Sequence, residues 1–145
     1  MLLATPEDTE RLGRALAAAL RPGDVVALFG DLGAGKTTLT RGILRGLGFE
    51  GDVASPTFPI VLPYDALELP LWHVDLYRIE HLSELAELAL EEALEDGALV
   101  IEWPERLGDA LWPHALRLTL AEQADGARAL TAQVPPAWGS RWPPT

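Results

Sequence analysis

Gly30-Asp31-Leu32-Gly33-Ala34-Gly35-Lys36-Thr37 decides how the rest of this chain is read. The stretch fits G-x-x-x-x-G-K-[ST] at every fixed position, the pattern of a loop that cradles phosphate. Val25-Val26-Ala27-Leu28-Phe29 before it reads as a short buried strand. Thr38 to Leu47 after it reads as a helix closed by Gly48. Strand, glycine loop and helix are what the chemistry requires: glycines let successive backbone N–H groups turn inward, and the helix N-terminus adds partial positive charge. Lys36 would reach the outer phosphates and the Thr37 hydroxyl would ligate Mg²⁺.

Composition points the same way. Lys36 is the only lysine, and the other ten basic residues are arginine. A compact ammonium suits the cradle where a planar guanidinium is too wide. A chain of 145 residues suggests one domain, large enough to bury about two-thirds of its unfolded surface. With no cysteine there is no disulfide framework and no thiolate metal site. No basic-then-apolar leader opens the chain and no apolar run approaches ~20 residues, so a cytoplasmic protein without a membrane span is expected. A net charge of −11 argues against strong direct binding of nucleic acid through phosphate neutralisation.

Thr5-Pro6-Glu7-Asp8 is a helix start, with a capping threonine, proline at the first position and acids in the first turn. Leu12, Ala15, Leu16, Ala19 and Leu20 give that helix one apolar stripe, and Arg21 to Asp24 turn into the first buried strand. Ser55-Pro56-Thr57-Phe58 reads as a stiff exposed segment. Two prolines push Pro59 to Tyr64 toward a sheet edge, joined by a hairpin to the run that follows Pro70. Ser83 to Asp96 is an amphipathic helical region with a break near Leu88-Ala89-Leu90. Leu116 to Leu120 and Ala129 to Val134 alternate at period two around Ala124-Asp125-Gly126, as a terminal antiparallel hairpin. Pro135 onward reads as a tail whose order would come from docking.

Leu71-Trp72-His73-Val74-Asp75 and Ala98-Leu99-Val100-Ile101-Glu102 share a design: a short apolar run ending in a carboxylate. In an open α/β sheet the ligand crevice lies at the carboxyl ends of the strands, so both acids would arrive beside the loop. There Mg²⁺ needs oxygen ligands beyond Thr37, and spacing alone does not choose between Asp75 and Glu102. His73 and His81 have no metal-ligand spacing and read as structural, and no nucleophile-elbow pattern supports Ser-His-Asp chemistry. A GTP switch fails, because its Asn-Lys-x-Asp loop needs an asparagine that the chain lacks and a second lysine. A small-molecule kinase and a non-hydrolysing nucleotide-binding module remain as alternatives.

Taken in order, Gly30 to Thr38, Ser55-Pro56-Thr57-Phe58, His73-Val74-Asp75-Leu76-Tyr77-Arg78 and Ile101-Glu102-Trp103-Pro104-Glu105 resemble the bacterial tRNA threonylcarbamoyladenosine biosynthesis ATPase family TsaE, also called YjeE. Thr9 and Leu12-Gly13 resemble its N-terminal pattern, so the likeness runs from about Thr9 to Leu107. It implies a phosphate-loop NTPase-like α/β fold: a mixed, mainly parallel sheet flanked by helices, with a C-terminal antiparallel hairpin. Residues 1–134 would be one ATPase domain and 135–145 the tail. It further implies a weak ATPase that works with TsaB and TsaD on tRNA without performing the carbamoyl transfer. ATP or ADP would be held by Asp31, Leu32, Gly33, Ala34, Gly35, Lys36, Thr37 and Thr38, with Thr9 and Trp103 bordering it. Lys36 and Asp75 would be catalytic, and Thr37, Glu102 and Asp75 would serve Mg²⁺. Ser55-Pro56-Thr57 would be a switch segment answering to the γ-phosphate, and Trp103 would sense the nucleotide.

Overall fold

Val25–Phe29 is apolar at every position, the mark of a parallel strand covered on both faces, and it lies at the centre of the sheet. A computed structural model describes residues 1–31, 33–53, 61–81, 83–84 and 89–144. In chain order the elements are β1 (Leu2–Leu3), α1 (Pro6–Ala19), β2 (Val25–Phe29), α2 (Lys36–Gly46), β3 (Val61–Tyr64), β4 (Leu71–Asp75), α3 (Leu90–Ala93), β5 (Ala98–Glu102), a 3₁₀ segment (Pro104–Ala110), β6 (Leu116–Glu122), β7 (Arg128–Gln133) and a second 3₁₀ segment (Pro136–Arg141). Among the described residues these strands form one seven-stranded sheet in the order β1-β7-β6-β2-β5-β4-β3.

The four inner strands, β6, β2, β5 and β4, run parallel. Antiparallel β3 closes one edge, as Pro63 within it foretells (Pro59 and Ile60 lie outside the described residues), and β7 with the two-residue β1 closes the other. The C-terminal hairpin is built into the main sheet, since β6 pairs directly with β2. Pleating divides the core. Val26, Leu28 and Val100 face α1 and α2, while Val25, Ala27, Leu99 and Ile101 face α3 and the first 3₁₀ segment.

Helix α1 starts where its sequence says: Thr5 Oγ1 accepts from the Asp8 N–H at 3.2 Å and Asp8 Oδ2 accepts from the Thr5 N–H at 3.3 Å. Of the acidic helical region, Leu90–Ala93 is helical and Ala89 is left-handed at φ 54°, at the expected break; residues 85–88 lie outside the described ones. Residues read as a tail carry a 3₁₀ turn that buries Trp138 against the α1/α2 side of the core. Arg141 stacks on that indole at 4.1 Å, pairs with Asp24 at 2.7 Å and donates to the Ala19 carbonyl at 2.8 Å, fastening the α1–β2 turn.

The two helices touch backbone to backbone. A Cβ on Gly42 would lie 2.2 Å from the Glu10 carbonyl oxygen, and one on Gly13 would lie 2.5 Å from that of Leu39. This contact ties the start of α1, with Thr9, to the start of α2, with Thr38; both line one small cleft. Gly42→Ala should therefore force the helices apart and cost about 1–3 kcal/mol or more, as overpacking of a filled core does. Urea unfolding reads it as a lowered midpoint; an unchanged midpoint would mean that the helices separate freely.

Candidate functional site

Asp75 and Glu102 end neighbouring parallel strands and are register partners, and Glu102 is in turn opposite Leu28, two residues before the glycine loop. The pleat sends Leu71, His73 and Asp75 on β4, and Ala98, Val100 and Glu102 on β5, to the side that α2 covers. Two strands that looked alike in sequence thus deliver both acids to one place.

The loop between β2 and α2 turns tightly, with the Ala34 N–H donating to the Asp31 carbonyl at 3.1 Å. Gly35 occupies the N-cap of α2 at φ 106°, a backbone state that favours glycine, and supplies no side-chain cap to the first turn. Lys36 is 5% exposed, and its Nζ donates to the Gly30 carbonyl at 2.7 Å while lying 4.1 Å from the centre of the Trp103 ring. Trp103 reaches that position because it is itself left-handed, φ 58°, between β5 and the proline-led 3₁₀ segment. A proline at 104 disfavours right-handed helix at 103, and a left-handed residue folds the chain back on itself. Tyr77 lies against the same indole, ring centres 4.8 Å apart, and the Arg106 guanidinium is 6.0 Å from the Tyr77 ring.

Glu102 is nearly buried, and one carboxylate oxygen meets His73 Nε2 at 2.5 Å. A carboxylate only accepts, so Nε2 carries the proton and donates; the buried Nδ1 has no hydrogen-bond partner among the described residues. Asp75 is half-buried, and its Oδ1 accepts from the Tyr77 N–H at 2.9 Å. Burial pushes the Asp75 carboxyl above its ordinary range, and the Glu102 charge adds to the push. The Tyr77 N–H, His73 and Lys36 pull the other way without cancelling it. Among the described residues no group of three His, Cys, Asp or Glu gathers to hold a metal ion. A cation here would find two carboxylates among the described residues, the rest of its oxygen shell coming from elsewhere.

Of the residues singled out in the sequence, Ala34 and Lys36 are buried, Gly35, Thr37 and Thr38 half-buried, and Asp31 and Gly33 exposed on the same loop and helix start. Thr9, almost fully buried, lines the cleft with Gly35 and Thr38. Leu32 and Ser55-Pro56-Thr57-Phe58 lie outside the described residues. Arg78 and Arg106, the arginines beside the acids, are exposed. Two participants escaped the sequence reading. His73 has a partner in Glu102 that only strand register reveals, and Arg128 reaches the loop from β7 at 2.9 Å with no local signal.

Fold and site together define a mixed α/β protein with one sheet, in which a glycine-rich loop between a strand and a helix meets two strand-end acids. Residues 3–130 match the family model "Threonylcarbamoyl adenosine biosynthesis protein TsaE". The chain is 41% identical over 127 residues to the tRNA threonylcarbamoyladenosine biosynthesis protein TsaE of Bacillus subtilis (strain 168), covering 87% of this chain and 79% of that one. It is 45% identical over 138 residues to the TsaE of Streptomyces coelicolor, covering 90% and 91%. The crystal structure of Bacillus subtilis YdiB superposes with a TM-score of 0.80 at 33% identity, covering 95% of this chain and 86% of the other. The chain belongs to the TsaE family.

A carboxyl with a raised folded-state pKa binds more protons folded than unfolded, so stability falls as pH rises from its ordinary value through the raised one. Asp75→Asn abolishes that loss. In the absence of nucleotide and divalent cation the variant should melt with the wild type at acid pH, increasingly above it as pH rises from the ordinary value to the raised one, and by a constant margin beyond. Scanning calorimetry across that window checks the sign, and a variant that melts lower at neutral pH would contradict it.

Proposed function

We propose that this chain is a Mg²⁺-dependent ATP-binding protein with weak ATPase activity. It supports a TsaB–TsaD pair in threonylcarbamoyladenosine modification of tRNA, in the cytoplasm. The observation that carries the reading is that the chain's only lysine, in a phosphate-loop sequence of the NTPase type, rests on the ring of Trp103, the residue that follows one of two carboxylates paired at adjacent strand ends. Membership of the TsaE family supports the tRNA-modification setting, and the partnership follows from that family likeness.

The residues present fit a nucleotide with its metal. Gly35 gives the first turn of α2 no side-chain cap, and a helix N-terminus of this kind suits an anion. Among the described residues the hydrogen-bonding and ring contacts Lys36 would have to leave are the Gly30 carbonyl and the Trp103 face. A site with two carboxylates suits Mg²⁺, which prefers one or two protein carboxylates plus phosphate oxygens and water. Thr37, Glu102 and Asp75 would hold the ion, which supplies charge neutralisation at the phosphates.

In this reading Lys36 stabilises charge on the outer phosphates, and His73 orients Glu102 through its Nε2–H. Asp75, exposed enough to meet water, acts in turnover. Hydrolysis is weak because phosphate-loop enzymes turn over slowly until a cation neutralises the developing charge, an effect worth ~10³–10⁵ in rate. An arginine of this chain, Arg78 or Arg106, or one from a partner would supply it.

Lys36→Ala should leave the fold intact by circular dichroism while ATP turnover falls by ~10²–10³, the usual cost of losing one charge-stabilising donor. Phosphate release measured with and without TsaB and TsaD, and with candidate acceptors present, tests the whole reading. Unaltered turnover in the variant would sink the loop's role, and phosphate appearing on an acceptor would make the chain a kinase.

Glu102→Gln keeps an acceptor for His73 but removes the charge, so nucleotide binding should lose its dependence on Mg²⁺. Asp75→Ala should bind MgATP and fail to hydrolyse it. Titrating Mg²⁺ against both variants decides between this assignment and its reverse.

A further inference from the structure

Arg128 opens β7 directly after the Asp125-Gly126-Ala127 turn, and its guanidinium crosses to the glycine loop. Nε donates to the Ala34 carbonyl at 2.9 Å and Nη2 to the Gly33 carbonyl at 3.1 Å. Nη1 donates to the Gly126 carbonyl at 2.6 Å and to that of Ala127 at 3.5 Å, bracing the side chain against its own turn. All four hydrogen bonds end on carbonyls. The nearby carboxylate of Glu122 is a looser and more exposed partner at 3.6 Å.

The two loop carbonyls matter because of what stands opposite them. In a trans peptide the C=O and the following N–H point in opposite directions. A Gly33 carbonyl fastened to Nη2 turns the Ala34 N–H back toward the Asp31 carbonyl, which it meets at 3.1 Å. An Ala34 carbonyl fastened to Nε turns the Gly35 N–H away from Arg128. Glycine-rich backbone has the most conformations to lose, so two anchored peptides restrict it strongly. A guanidinium does this where an ammonium does not, because its rigid fork reaches two acceptors at once.

We propose that Arg128 is a positioning residue: by fixing the Gly33 and Ala34 carbonyls it locks the turn of the loop and holds the Gly35 N–H in the orientation that receives an anion, so that the C-terminal hairpin sets the affinity of the loop for nucleotide. The inference rests on the nucleotide reading above. It assigns Arg128 no contact with phosphate, four of its five N–H donors being committed to carbonyls among the described residues, and it gives the packing of β6 against β2 a part in the site.

Calorimetric titration of the full chain with ADP in Mg²⁺ tests it, across wild type, Arg128→Ala, Arg128→Lys, Glu122→Gln and Lys36→Ala. Removing two charged hydrogen bonds from the loop should weaken ADP about tenfold or more in Arg128→Ala. Arg128→Lys, which keeps the charge but loses the fork, should be similarly weak, and Glu122→Gln should bind as wild type. Amide exchange of Gly35 in the unliganded protein should quicken in both Arg128 variants while exchange in β2 and β5 stays slow, which general destabilisation would not produce. Should Arg128→Ala fail to fold, Arg128→Lys and its exchange carry the test alone. Wild-type affinity in Arg128→Lys overturns the fork, and wild-type affinity in both variants overturns the role altogether. If Lys36→Ala abolishes binding while the Arg128 variants keep it, only this inference falls. If the wild type binds no ADP, the nucleotide reading falls and this with it.

Discussion

Asp75 and Glu102 are cross-strand partners in a parallel pair, so the spacing of the sheet, about 4.8 Å between strands, keeps their backbones adjacent whatever their side chains do. Like charges so placed repel, and here one is nearly buried and the other half-buried. A slip of one residue in either strand would turn its acid to the α3 side and exchange it for an apolar neighbour. The core therefore enforces the repulsion: Val74, Leu99 and Ile101 stay inside only in the register that pairs the acids. His73 relieves part of it through Glu102. Asp75 keeps the remainder, which adds to the effect of burial in raising its proton affinity.

Lys36 comes to this place from the opposite direction. Among the described residues it makes no ion pair with either acid; its ammonium rests on the Gly30 carbonyl and the Trp103 face. An ammonium has three donors, and an indole face attracts charge without accepting a hydrogen bond in the ordinary sense. In the proposed function the carbonyl and the indole are contacts that an arriving anion would outcompete, whereas a salt bridge to a buried carboxylate would have to be broken at greater cost. Trp103 takes up a left-handed backbone to offer that face, at about 1–2 kcal/mol. Stacking on Tyr77 helps to offset the strain. Strain next to chemistry rather than in a distant turn links the backbone of residue 103 to the state of the loop.

Much of this could be read before any coordinates. The loop, its flanking strand and helix, the capped start at Thr5 and the acids after two apolar runs all rest on local chemistry, which sequence carries directly. What escaped is non-local. Leu2–Leu3 is too short for any period to mark, and it becomes a strand only because β7 offers an edge. The stretch after Pro135 has no periodicity, yet Trp138 finds a place in the core because Arg141 can reach Asp24, 117 positions away in sequence. Arg128 and His73 take their parts only once strand order is known: β6 beside β2 brings Arg128 to the loop, and β4 beside β5 brings His73 to Glu102.

The acidity of the chain sharpens what the site must do. With a net charge of −11, its long-range field repels polyanions, so bulk electrostatics do not recruit a phosphate group or a tRNA backbone. Attraction has to be local and short-ranged. In the proposed function backbone N–H groups at the start of α2 and the ammonium of Lys36 would provide it within a few ångströms, a scale on which screening by salt is weak. Short-range recognition demands fixed geometry, because a dipole loses its value when it turns. The Gly13–Gly42 contact that sets α2 against α1, the register that aligns β2 with β5, and the Arg128 fork on two loop carbonyls all constrain the same few peptides. In a basic protein a loosely held loop would still collect anions; if this loop holds phosphate as proposed, its rigidity has to replace the missing field.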